Sequence, residues 1–337
     1  MNILLTSVGR RTYMVHYFQK ALCGDGMVHA SNSEMTYTML QADKYVITPK
    51  IYDSGYIDFL LEYCKGNNIS AILPLFDIDL PVLSKNKELF KENGIKVVVS
   101  NYEAIRVCND KYLTYSFFKE IGLRVIPTFL SLKKVFQALH ENKISFPVIL
   151  KPRWGMGSIG IYEAENEDEL EVFYAKLKRE IFQTYLRYES QESIDSCVII
   201  QEKISGKEYG CDVLNDFNKQ YVGTVAKQKK AMRAGETDIA EIVDSSIFEP
   251  VTRLISKRLG HIANLDVDCF VTDSNEIYVL EMNCRFGGQY PFSHLSGVDF
   301  PKQILLWLEG KGTDPELVTP KIGIKGCKDI VPRIMDL

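Results

Sequence analysis

An otherwise apolar run, IYVLEMNCRFGG (residues 277–288), carries a carboxylate, an amide and a guanidinium at every second position. Successive side chains of a strand face opposite ways, so Val279, Glu281, Asn283 and Arg285 are expected on one side and Tyr278, Leu280, Met282 and Cys284 on the other. The upstream run LDVDCFV (265–271) alternates as well, with Asp266, Asp268 and Phe270 on one face, and the TDSNE between the runs has turn composition. A turn centred on Ser274 and Asn275 sets Asp268 opposite Glu281. Asp268, Glu281 and Asn283 then offer only hard oxygen donors, the chemistry that suits Mg²⁺ or Mn²⁺ shared with nucleotide phosphates. On this hairpin alone a second reading stays open, a strand leaving the core with Glu281 and Arg285 paired in solvent.

A second stretch, FPVILKPRWGMGSIGIYEAEN (146–166), runs a buried strand to Lys151 and then spaces Gly155, Gly157 and Gly160 as GxGxxG. A dinucleotide-binding loop must enter a helix, whereas IGIYEA is β-patterned and helical signals resume only near Asn166. The glycines are therefore read as the loop of a strand-loop-strand hairpin whose bare backbone N–H groups can fold over phosphates, with Lys151 as a point charge beside them. A plain flexible turn with a surface lysine is the competing reading. Further on, the strand CVII runs into Gln201, Glu202, Lys203 and Ile204, where backbone groups can read an adenine edge, and Glu208 can accept from ribose hydroxyls; an ordinary hairpin with exposed charges would look the same. YVGTVAKQKKAMRAGE (221–236) continues the β pattern and then releases Lys227, Lys229, Lys230 and Arg233 beside a glycine, as a solvated loop or a lid closing on phosphate.

The elements that must position these groups fall into two styles. Up to about residue 100, strand runs (NILLT, VHAS, YVIT, AILPLF, KVVVS) alternate with helical stripes, including helices near 54–65 and 82–93, which predicts a doubly wound parallel sheet. Such sheets bind ligands at the carboxyl ends of their strands, where Ser7, Gly9, Arg10, Asp77 and Asp79 fall; helix capping is the preferred reading for Asp79. Beyond residue 100, RVIPTFL is expected as a strand, and antiparallel patterns then dominate. The 337 residues suggest two or three domains, and 46% apolar with 25% charged residues is an ordinary globular balance. A net charge of −4 argues against nucleic acid or an anionic membrane as the main partner. The eight cysteines form no CxxC pair, Cys197, Cys211, Cys269 and Cys284 lie in strand-like runs and are read as core thiols, and the start MNILLTSVGRR is the reverse of a signal peptide, so a cytoplasmic location is expected.

Taken together, Lys111, the Lys151 hairpin, QEKISGKE, and Asp268 with EMNCR resemble the ATP-grasp superfamily, in the branch of carbamoyl phosphate synthetase large subunits, biotin carboxylase and amino-acid ligases. The resemblance implies an α/β and α+β protein, a pre-ATP-grasp doubly wound parallel sheet (1–104) followed by a two-lobed ATP-grasp fold with antiparallel sheets (105–310, small lobe about 125–205) and a C-terminal extension (311–337). It implies Lys111 and Lys151 on phosphates, Gly155, Met156, Gly157 and Ser158 as the phosphate loop, Glu202, Lys203 and Ile204 as the adenine hinge behind Gln201, and Glu208 on ribose. Asp268, Glu281 and Asn283 would ligate Mg²⁺, with aspartate standing at 268 where many relatives use glutamate. Arg285 would steady the transferring phosphate, joined by Lys229 and Arg233 as catalytic groups, with substrate held by Gly9, Arg10, Asp77 and Arg233. The implied activity is ATP- and Mg²⁺-dependent ligation of a small-molecule carboxylate to an amine through an acyl phosphate, in a protein that dimerises through its first domain. A single ATP-grasp unit argues against complete carbamoyl phosphate synthesis. A small-molecule phosphotransferase and a catalytically silent ATP-binding regulator are the rival functions.

Overall fold

The first strand, β1 (Asn2–Thr6), is apolar on both faces, and Ile3, Leu4 and Leu5 are all fully buried, as the centre of a parallel sheet requires. With β2 (Val28–Asn32), β3 (Lys44–Ile47), β4 (Ile69–Pro74) and β5 (Lys96–Val97) it forms a parallel sheet in the order β3-β2-β1-β4-β5. The chain winds outward from β1 in one direction and returns through β4 in the other, so a crevice opens beyond the carboxyl ends of β1 and β4. The computed structural model describes residues 1–155 and 159–335.

A second, four-stranded sheet is antiparallel, in the order β6-β9-β7-β8, from β6 (Thr128–Phe129), β7 (Val148–Pro152), β8 (Tyr162–Ala164) and β9 (Val198–Glu202). It keeps an apolar core of its own, around Val148, Leu150, Leu170 and Ile200. The third sheet is also antiparallel and has the order β14-β13-β10-β11-β12-β15. Its strands are β10 (Lys207–Asn215), β11 (Tyr221–Arg233), β12 (Glu236–Val243), β13 (Ala263–Val271), β14 (Ile277–Asn283) and β15 (Lys325–Cys327). Two further apolar clusters join this sheet to the parallel one, since Leu4 and Ile72 share a core with Leu265 and Met282. No described helix is long and apolar enough to cross a membrane.

Local departures from the sequence expectations have identifiable causes. The helix expected over 82–93 is two, Asp79–Lys85 and Lys87–Glu92, with Asn86 between them donating its side-chain amide back to the Val82 carbonyl (2.8 Å). The strand expected from RVIPTFL shrinks to Thr128 and Phe129, because Pro127 cannot donate to a ladder. Residues 311–335 are tied in by β15, which pairs with β12 at the sheet edge. The cationic stretch expected as a loop or lid is strand as far as Arg233. It turns at Ala234 and Gly235, both at positive φ, into β12.

Candidate functional site

Four neighbouring strands of the third sheet place a charged row on one face. Register pairs Asp268 with Glu281 and Asp266 with Asn283 across β13 and β14, and it pairs Gly210 and Asp212 of β10 with Asp268 and Asp266. The period-two rule then puts Glu208, Asp212, Asp266, Asp268, Glu281 and Asn283 on the same side, while Cys211, Leu265, Val267 and Met282 enter the core behind. From β11 the same period turns Lys227 and Lys229 toward this face. Lys227 is fully buried against Asp212, and Lys229 reaches Glu208 (2.6 Å) and Asp268 (2.9 Å). Two glycines make room. A Cβ on Gly210 would stand 1.6 Å from the Gln289 amide oxygen, and one on Gly287 would stand 2.2 Å from the Asp266 carboxylate.

One irregularity changes which side chain meets the cavity on this face. Asp268 pairs with Glu281 and the next residue, Cys269, pairs with Val279, so Leu280 is an extra residue in a β-bulge. Simple alternation placed Val279 beside Glu281 and sent Leu280 into the core. The bulge reverses both, burying Val279 (5% exposed) and setting Leu280 in the wall of a cavity of about 170 Å³ together with Glu281. That cavity is also lined by Lys111, Lys151, Gly155, Glu208, Lys229 and Asp268, which arrive from three separate parts of the chain. β7 does hairpin back onto β8, so Lys151 leaves a strand and not the start of a helix. Met156, Gly157 and Ser158 lie outside the described residues.

The electrostatics of this cavity are those of a site for a polyanion and its cation. Lys111 lies 3.0 Å from Glu281 and also donates to the Gly155 carbonyl. Burial opposes ionisation of Glu281, but Lys111 and Lys151 outweigh it and hold its carboxyl down to about 2. Burial likewise opposes the Lys229 charge, and Asp268 and Glu208 reverse that, raising it above the usual lysine value. Lys151, without so close a partner, is pushed by burial down to about 8. Among the described residues no three His, Cys, Asp or Glu side chains converge into a metal cage. Two carboxylates and an amide still fit Mg²⁺, which commonly takes one or two protein carboxylates and completes its shell with phosphate oxygens and water. Lys151→Ala is expected to raise the KM for ATP about ten- to a hundredfold, the worth of a charge-assisted bond. Because the ammonium is lost near pH 8, nucleotide affinity should be full below that pH and decline above it. Calorimetric ATP titrations of both proteins from pH 6.5 to 9.5 check this, and an unchanged KM would remove Lys151 from the phosphates.

The hinge candidates lie between the two antiparallel sheets, at the end of β9, and their side chains are engaged locally. Gln201 donates to Thr128 (2.7 Å), Glu202 accepts from the Ser145 backbone (3.1 Å), and Lys203 pairs with Glu163 (2.6 Å), while Ile204 is half-buried in the connection to β10. Base recognition here would fall to the backbone.

A second chamber of about 250 Å³ adjoins the first, sharing Lys229, Asp268 and Glu281, and its wall is the crevice at the ends of β1 and β4. Asp77 is buried there, with Oδ2 accepting from Arg285 (2.7 Å) and Oδ1 left without a hydrogen-bond partner among the described residues. Arg285 also faces Asp266 at 3.5 Å. Gly9 adopts positive φ (51°) in the turn after β1, which sends Arg10 into solvent and Arg11 into the chamber. Arg11 donates to the Phe286 carbonyl (2.7 Å) and has no ion pair among the described residues. Arg233 points elsewhere, pairing with Asp238 (3.0 Å) on the exposed edge. Asp79 does not cap a helix; it accepts from Thr6 (2.7 Å) and Tyr56 (2.9 Å), pinning β1 to the helix Tyr56–Gly66. Arg11, Gln289 and Glu236 escaped the sequence reading, although the first follows a glycine turn and the second a glycine pair. Gln289 donates to both Asp266 (2.6 Å) and Asp268 (2.9 Å) and so spaces the two carboxylates.

Comparison with known proteins agrees with this geometry. A model of the PylC-like N-terminal domain matches residues 3–98, and a model of the ATP-grasp domain matches residues 144–291. The chain is 24% identical over 325 residues to a carbamoyl-phosphate synthase of Methanobrevibacter smithii, covering 90% of this chain and 80% of that protein. Its fold is similar to that of an L-amino acid ligase from Bacillus licheniformis (TM-score 0.74, 16% identity, 98% of this chain and 81% of that one). It is also similar to the biotin carboxylase domain dimer of the Hydrogenobacter thermophilus 2-oxoglutarate carboxylase, solved with MgADP and bicarbonate (TM-score 0.73, 20% identity, 92% and 70%). With a parallel-sheet domain of the PylC-like type ahead of two antiparallel sheets that enclose a lysine- and carboxylate-lined cavity, the chain carries an ATP-grasp domain and is similar to the carbamoyl phosphate synthetase-like branch of that superfamily.

Proposed function

We propose that this chain is an ATP- and Mg²⁺-dependent ligase that joins a carboxylate to an amine through an acyl phosphate. The observation that carries the reading is the adjacency of the two chambers, one lined by Lys111, Lys151 and Lys229 opposite Glu208, Asp268 and Glu281, the next sharing Lys229, Asp268 and Glu281 with it. On binding, Lys111 and Lys229 would exchange their carboxylate partners for phosphate oxygens, releasing Glu281 and Asp268 to hold the cation with Asn283 and Glu208 to meet the ribose. Bound Mg²⁺ would neutralise charge on the β- and γ-phosphates. The substrate carboxylate oxygen attacks the γ-phosphorus and ADP departs; the amine nitrogen then attacks the acyl carbon, gives up a proton, and inorganic phosphate leaves. The protein's part is positioning and charge neutralisation.

The second chamber favours an amino acid as one reactant. It sets in one wall the Arg11 guanidinium, which has no ion pair among the described residues, and the Asp77 carboxylate, the complement of an α-carboxylate and an α-ammonium. We extend to the chain the dimeric state of the Hydrogenobacter domain. A cytoplasmic location fits the unbonded thiols of Cys108 and Cys284, 3.4 Å apart in the core. Turnover of amino acid mixtures with ATP in hydroxylamine should yield a hydroxamate in step with ADP. ADP formation without hydroxamate, or a stable phosphorylated product, would replace the ligase reading with a phosphotransferase.

A further inference from the structure

A third cavity, of about 530 Å³, opens between the parallel-sheet domain and the segment 183–188 that precedes β9. Phe76 and Tyr185 line both this cleft and the inner chamber, their rings edge-to-face at 6.3 Å, so the two spaces meet at an aromatic partition. Farther out, Tyr52 from the first domain stacks on Tyr188 at 4.6 Å and 29°, and Arg187 lies 5.0 Å over the Tyr188 ring. Tyr52 and Tyr188 are each 41% exposed and Tyr185 is 37% exposed. None of these four aromatics belongs to any of the three apolar cores. The fold thus gathers partly exposed aromatic rings from both sides of one cleft, where no apolar core requires them.

We infer that this cleft is the side-chain subsite of the enzyme and selects an α-amino acid with an aromatic side chain, its head group on Arg11 and Asp77 and its ring displacing the Phe76–Tyr185 edge contact to face Tyr52 and Tyr188. The inference rests on the ligase reading for the head group and goes beyond it in assigning the outer cleft. Aromatic rings favour offset and edge-to-face neighbours, the two arrangements already present here. A flat ring entering the cleft meets both types of surface without disturbing a core, whereas alanine would leave the cleft wet.

The test is calorimetric binding of alanine, leucine, phenylalanine and tryptophan to the full chain with Mg²⁺ and a non-hydrolysable ATP analogue, which needs no turnover. Phenylalanine or tryptophan should bind at least about tenfold more tightly than alanine, and Tyr188→Ala or Tyr52→Ala should erase about that factor while Tyr188→Phe retains it. Equal binding across the series, no binding of the aromatic members, or a preference that survives both alanine variants would overturn the assignment. A graded preference in binding, with no ADP formed when ATP replaces the analogue, would instead support the subsite and count against the ligase reading, so the two fail separately.

Discussion

Glu281→Gln is expected to lower Mg²⁺-dependent ADP formation on the order of 10³-fold, the loss that follows from removing a preorganised charge at a phosphoryl-transfer centre. Glutamine keeps the shape and can still accept from Lys111, so the effect isolates charge. In the wild-type chain Glu281 opposes Lys111, Lys151 and Lys229. Without it the proposed Mg²⁺ site loses one of its two carboxylates. Asn283→Ala removes the proposed neutral ligand and should cost less, about tenfold, and part of that loss should recover at high Mg²⁺. The glutamine variant also carries a stability signature. A carboxyl held at about 2, below its unfolded value near 4.5, contributes stability that is complete above pH 4.5 and lost as pH falls toward 2. That component should vanish from urea unfolding of Glu281→Gln, so the variant's loss of stability should be largest at pH 7 and shrink as pH falls toward 2. Unaltered turnover in both variants would displace the metal from this pair of strands.

How much of this was legible beforehand depended on the range of the interaction. Alternation in LDVDCFV and IYVLEMN was enough to place Asp268 opposite Glu281, because register between adjacent strands is local and a polar face is visible in period two. The Lys151 hairpin was legible for the same reason, its β-patterned continuation excluding a helix. The exchange of Leu280 for Val279 was not, since a bulge adds one residue without changing composition. Lys227 and Lys229 looked like a solvated loop or a lid closing on phosphate because their partners, Asp212, Glu208 and Asp268, come from other strands, and charge alone does not reveal burial. The first-domain wall was found only to within a residue. The carboxyl ends of β1 and β4 were placed correctly, but Gly9 and its positive φ decide that Arg11, and not Arg10, turns inward. The outer cleft left no local signal at all, as Tyr52, Phe76 and Tyr188 meet only through the tertiary fold.

Arg285 offers the sharpest separation of structural from catalytic contribution. Its guanidinium is 8% exposed and spans two sheets, with one nitrogen on Asp77 beyond β4 and another facing Asp266 of β13. Burial works against its charge, but Asp77 and Asp266 outweigh it and hold the proton on. Arg285→Met should therefore destabilise the chain by about 3–5 kcal/mol, because two buried carboxylates lose a partner. It should also reduce kcat about 10²- to 10³-fold if the same cation steadies the transferring phosphoryl group beside the inner chamber. Adding Asp77→Asn to Arg285→Met relieves one stranded charge, so about half of the lost stability should return, read as a shift in the urea midpoint. Activity should not return with it, because the amide cannot replace a cation at the phosphate. Arg285→Lys should keep the charge yet lose the two-sided grip, leaving kcat well below wild type. Recovery of turnover in parallel with stability in the double variant would reduce Arg285 to a strut between the sheets and shift the burden of charge neutralisation onto Lys111, Lys151 and Lys229.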